Sequence, residues 1–160
     1  NYLKPKESPD AWVVEVVNTM KMGDCDKLEK LLTSFFRQYT YSQRRKDDER
    51  EKERYFQYTF YLVIRMISSF TVLIEKEQSE GRVDCIIETP MFVYIFEFKR
   101  DGSATEALKQ IEEKGYVREY ATDNRTIYLI GCNFSSKTGT IDDWKSKGKN
   151  LRKLSDFSDK

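Results

Sequence analysis

The sequence predicts an α/β fold: a mixed central sheet flanked by helices, in the order αβββαβ, preceded by an N-terminal helical hairpin. Three observations lead there. Residues 9–36 carry apolar side chains at helical spacing and are divided at Gly23-Asp24. Residues 70–99 hold three β-rich apolar runs separated by turn residues. A capped helical pattern from Ser103 is then followed by a further β-rich run, Thr126 to Cys132.

Each element has a local cause. Ser8 caps the first helix and Pro9 takes its first position, where a missing N–H leaves no bond unmade. That helix turns Trp12, Val13, Val16 and Val17 inward and ends near Gly23. Asp24 caps a second helix through Leu28, Leu31, Leu32 and Phe35-Phe36. The mixed-charge segment from Arg44 to Lys52 reads as the solvated start of a third helix, which runs to about Ser68. Phe56, Phe60, Ile64 and Ile67 form its stripe, and Glu53 and Gln57 fall on the N-terminal end of that stripe. Glu53 therefore either emerges at a solvated rim or points into a polar site. Strands follow around Phe70 to Ile74, around Asp84 and up to Glu97. In the next helix Ser103 and Glu106 fit a capping box, with Ala104, Ala107, Leu108 and Ile111 on the apolar side. Thr126 to Cys132 is apolar enough for a central buried strand, and Thr140 to Trp144 adds an edge element. The expected divisions are a helical region at 1–44, a core at 45–144 and a flexible polar tail at 145–160, rich in Lys, Ser and Asp.

Composition narrows the chemistry. A chain of 160 residues suits one domain, and 39% hydrophobic content is enough for a packed interior. The formal net charge of +1 offers no basic excess, so attraction to nucleic acid must come from local clustering. Histidine is absent, which excludes histidine triads, histidine-ligated zinc and a histidine base. Cys25, Cys85 and Cys132 are odd in number and have no CxxC spacing. With Cys85 and Cys132 inside apolar strand runs, buried free thiols and a reducing cytoplasm are expected. No apolar run approaches membrane-spanning length, no signal peptide is visible and nothing resembles GxxxxGK[ST]. The sequence begins at Asn1 rather than Met and reads as a piece of a longer protein.

The most informative stretch is Gly81 to Lys99, GRVDCIIETPMFVYIFEFK. Strand residues alternate faces, so Glu97 and Lys99 share a side while Phe98 points away. If the two runs pair as a hairpin symmetric about Pro90-Met91, Asp84 falls opposite Glu97. Like charges at such a pair are destabilising, and a divalent cation held by oxygen ligands is a natural compensation. On the residues alone, strand-end charges in a surface ion pair explain the pattern as well as a metal site does.

The pattern of Asp84 followed by Glu97-Phe98-Lys99 resembles the PD-(D/E)XK nuclease superfamily. The wording GRVDCIIETPMFVYIFEFKRDGSATEALKQIEEKGY, followed by IYLIGCNFSSKTGTIDDW, is similar to a bacterial branch found C-terminal to an AAA-type ATPase domain. The resemblance implies a restriction-endonuclease-like core and hydrolysis of phosphodiester bonds in DNA or RNA with Mg²⁺ (or Mn²⁺). It assigns Asp84, Glu97 and the main-chain carbonyl of Phe98 to the metal, and Lys99 to the attacking water or the phosphate. Glu53 matches the helix glutamate of the family, for a second metal or a coordinated water. Gln110, Tyr116 and Arg82 are its candidate substrate contacts. RecB-like nucleases carry Gln-x-x-x-Tyr, whereas here Lys114 stands four residues after Gln110 and Tyr116 two further on. The implied partners are nucleic acid and an N-terminal ATPase domain of the parent chain. The alternative is a catalytically silent nucleic-acid-binding, regulatory or protein-interaction module of that ATPase, since nuclease folds are reused for binding.

Overall fold

The computed structural model describes residues 9–43, 71–78 and 81–149. It has the expected α/β architecture. Two helices, α1 (Pro9–Met22) and α2 (Cys25–Gln43), precede a five-stranded sheet of sequential order β1-β2-β3-β4-β5. The strands are β1 (Thr71–Gln78), β2 (Gly81–Glu88), β3 (Phe92–Arg100), β4 (Thr126–Ser135) and β5 (Thr140–Lys149). Helix α3 (Ala104–Lys114) and a short 3₁₀ turn (Tyr116–Tyr120) join β3 to β4. That crossover lets β3 and β4 run parallel, while the other neighbours are antiparallel hairpins. The expected third helix, with Glu53 and Gln57, lies outside the described residues.

Strand alternation sorts the core into two layers. On one face Tyr94, Phe96, Ile130 and Cys132 meet Val16, Met20, Leu28 and Leu32 of the α1–α2 hairpin. On the other, Val93, Ile95, Ile127 and Leu129 meet Ile111, Leu108 and Tyr116. The hairpin turn forms as its residues require. Gly23 has a φ of +72°, and the Asp24 carboxylate accepts from the Lys27 amide at 3.0 Å. The Tyr94 hydroxyl donates to the Met20 carbonyl at 2.6 Å, tying α1 to the central strand. All three cysteines are free and buried. Burial pushes the Cys25 thiol up to about 12 and Cys132 well above its ordinary value.

The segment read as a tail from Lys145 is corrected in part. Strand β5 continues to Lys149, fully paired to β4, with Ile127 opposite Lys149. Its lysines are held against α3: Lys145 donates to the Thr105 hydroxyl at 2.7 Å and Lys147 to Glu112 at 3.0 Å. Polar composition hid a strand that is an edge strand among the described residues, and lysines suit such an edge.

Helix α3 approaches β4 closely because of one residue. A Cβ on Gly131 would overlap the Ala104 carbonyl oxygen and lie 2.8 Å from the Leu108 amide nitrogen. Gly131→Ala is therefore expected to cost about 3 kcal/mol, since the clash is with backbone that cannot rotate away. Gly148→Ala, whose Cβ would meet the Tyr128 ring at 3.1 Å, costs less. Urea unfolding of both variants checks the order.

At the far end of the sheet Arg125 clamps three groups. It donates to Asp123 at 2.6 Å, to Glu88 at 2.8 Å and to the Thr89 carbonyl at 3.0 Å. The Arg125 hydrogen bond holds the Asp123 carboxyl below its ordinary value of 3.8. A depressed carboxylate contributes stability above its unfolded-state pKa and loses it as pH falls through the folded one. Arg125→Met is expected to cost about 1–2 kcal/mol for these partly exposed groups. The wild-type advantage, read from urea unfolding, stays level from pH 7 to 5 and shrinks below 3.8.

Candidate active site

The site is built where β2 and β3 part. Their register runs from Glu88 opposite Val93 to Cys85 opposite Phe96, centred on Pro90-Met91 as expected. Thr89 sets the turn: its hydroxyl accepts from the Phe92 amide at 2.9 Å. Among the described residues no β2–β3 pair extends beyond Cys85 and Phe96. From there β2 pairs with β1 back to Gly81, and β3 pairs with β4 out to Arg100. Continuing the register by one residue sets Asp84 opposite Glu97. Of Asp84 and Arg82 the structure describes only these strand positions, and Glu53 lies outside the described residues.

Glu97 is 4% exposed although it is charged. It lies on the α3 face, beside Gly131 in β4, and the glycine lets the helix cover it. Lys114, in the last turn of α3, donates to Glu97 Oε1 at 3.1 Å. A helix C-terminus favours a cation there, and Gly115 ends the helix in the left-handed region at φ +69°. Phe98 points to the opposite face, where its ring stacks on Phe96 at 6.0 Å.

Lys99 stands two residues beyond Glu97 on the same face, partly buried and opposite Asn133. The loop that follows it is anchored from several sides. Buried Asn133 accepts from the Gly102 amide at 2.9 Å and donates to Asp142 at 2.8 Å. Asp101, at φ +50°, accepts from the Ser136 amide at 2.9 Å and hydroxyl at 2.6 Å. Those bonds hold its carboxyl below the ordinary range. Ser103 accepts from the Glu106 amide at 3.1 Å, while Asp143 of β5 accepts from the Ala104 amide at 2.8 Å. The start of α3 is thus capped twice, once from a distant strand.

Not every expected residue gathers here. Gln110 is half-buried one helical turn before Lys114 and shares its side of α3. Tyr116 is 2% exposed, and its ring is enclosed in the core among Ile86, Val93 and Ile95. Lys114, Asn133, Asp143 and Gly131 were not picked out as part of the site from sequence. Lys114 had entered only as a departure from a pattern; the usable signal was that a buried carboxylate requires a nearby cation.

A model of the PD-(D/E)XK nuclease superfamily matches residues 51–144, more than half of the chain. The chain belongs to this superfamily. It is also 28% identical over 129 residues to the "uncharacterized protein in vnfD 5′ region" of Azotobacter chroococcum mcd 1. That match covers 79% of this chain and 25% of the relative, so the chain spans about a quarter of its relative's length. No solved structure matches significantly.

Superfamily members usually use divalent metals. Among the described residues no group of three or more carboxylates or thiols has metal-holding geometry. The donor chemistry nonetheless fits a hard cation. Glu97 brings a buried carboxylate to the point where the β2–β3 pairing ends, next to Phe98, and the register continued by one residue points to Asp84 as its opposite number.

Proposed function

We propose that this chain is a Mg²⁺- or Mn²⁺-dependent nuclease module that hydrolyses phosphodiester bonds in DNA or RNA. The observation that carries this reading is the parting of β2 from β3 one residue short of Asp84 and Glu97. A bound divalent ion would supply Lewis acidity to the phosphoryl and leaving oxygens. Asp84, Glu97 and the Phe98 carbonyl would hold it, with Glu53 assisting. Lys99 orients the attacking water and steadies the phosphate charge. Arg82 and Gln110 contact the substrate backbone, and the anchored loop after Lys99 keeps its ammonium from drifting.

The module is further proposed to work in the cytoplasm as the C-terminal part of an ATPase-linked protein, in line with the family branch it resembles. The free thiols agree with a reducing compartment. Among the described residues no helix is long and apolar enough to cross a membrane. One observation favours a second reading. Lys114 supplies Glu97 with a cation from the protein itself, as a silent binding or regulatory module would use.

Cleavage of mixed DNA and RNA substrates with Mg²⁺ or Mn²⁺ separates the two. Lys99→Ala and Asp84→Ala, each still folded, are expected to lose at least about 100-fold in rate. A wild type that neither cleaves nor gives heat on titration with Mn²⁺ would establish the silent module.

A further inference from the structure

The contact between Lys114 and Glu97 has a consequence for the metal. The Lys114 ammonium lies 3.1 Å from a carboxylate whose side chain is 6% exposed, while its own side chain is 20% exposed. Burying Glu97 without a cation would cost several kcal/mol, and Lys114 supplies one from the helix side. The spacing is longer than the 2.7–2.9 Å usual for a charge-assisted bond to nitrogen, and the lysine is a mobile point charge on a flexible stem. It sits in the last helical turn, where the α3 dipole favours it whether or not Glu97 keeps it.

Lys114 thus places a positive charge beside the carboxylate that would take the metal. A divalent cation drawn to that carboxylate meets like charge within a few ångströms. We infer that Lys114 is a positioning residue with two states: it holds Glu97 in the metal-free protein and it opposes metal binding, so that it sets the affinity of the site. This rests on the metal-site reading above. The lysine steadies the site before loading, and its partial exposure leaves a path to solvent when the carboxylate is taken.

The test compares wild type, Lys114→Met, Lys114→Gln and Lys114→Arg as full chains. Thermal unfolding is followed in EDTA and in Mn²⁺, and Mn²⁺ affinity is read by calorimetry. Lys114→Met and Lys114→Gln are expected to melt lower than wild type in EDTA, with the gap narrowing in Mn²⁺. Their Mn²⁺ dissociation constants fall about tenfold, the least that removing one nearby charge should yield in a partly buried site. Lys114→Arg keeps the charge and stays near wild type in both measurements. Should Lys114→Met fail to fold, Lys114→Gln, which retains a hydrogen-bond donor, carries the comparison. Equal melting deficits with and without Mn²⁺, together with unchanged or weaker binding, would show that Lys114 only packs and overturn the inference. A wild type that binds no Mn²⁺ overturns the metal site itself and the inference with it.

Discussion

A carboxylate buried at the outer end of the central strand constrains this molecule more than any other group. Glu97 cannot be hidden unless something stands close enough to compensate it, and both conditions come from α3. The helix can descend onto the sheet because Gly131, beside Glu97 in the parallel ladder, has no side chain. Its last turn then delivers Lys114 to the carboxylate. Remove the glycine and the helix must rise; raise the helix and Glu97 loses its cover and its cation together.

The helix is fixed at its start by groups remote in sequence. Asp143 caps its first turn and Asn133 ties down the loop before it, both from strands that follow α3 in the chain. Along its flank Lys145 and Lys147 of β5 reach Thr105 and Glu112, and the Lys147 bond holds the Glu112 carboxyl below its ordinary range. The edge strand is therefore a brace for the helix that covers the site. Individually such exposed pairs contribute little, but several acting on one helix restrict its position more than its stability.

What could be read from sequence was local or symmetric. The capped start of α3, the Gly23-Asp24 turn and the centre of the β2–β3 hairpin each follow from a few adjacent residues. Strand β5 escaped beyond Trp144 because its three lysines, one serine and one glycine carry no apolar alternation, and only its ladder to β4 makes it a strand. Lys114 and Asp143 escaped because their partners lie 17 and 39 residues away, a pairing that helix and strand periods do not encode. Tyr116, a candidate substrate contact by the family resemblance, is buried in the 3₁₀ turn after Gly115, a placement that its position after Gln110 does not encode.

The parting of β2 and β3 follows from the same electrostatics that made Glu97 costly. From Ile87 opposite Tyr94 to Cys85 opposite Phe96 the facing residues are apolar and pairing is favourable. At the next register position two carboxylate-bearing residues meet, where cross-strand repulsion opposes pairing. The hairpin gives way there, while each strand keeps its outer neighbour, so the sheet does not come apart. Beyond that point alternate residues of β3 direct main-chain groups toward the side that β2 has left. A hydrophobic register that stops one residue before a pair of acids thus leaves the end of β3 with β4 as its paired neighbour among the described residues.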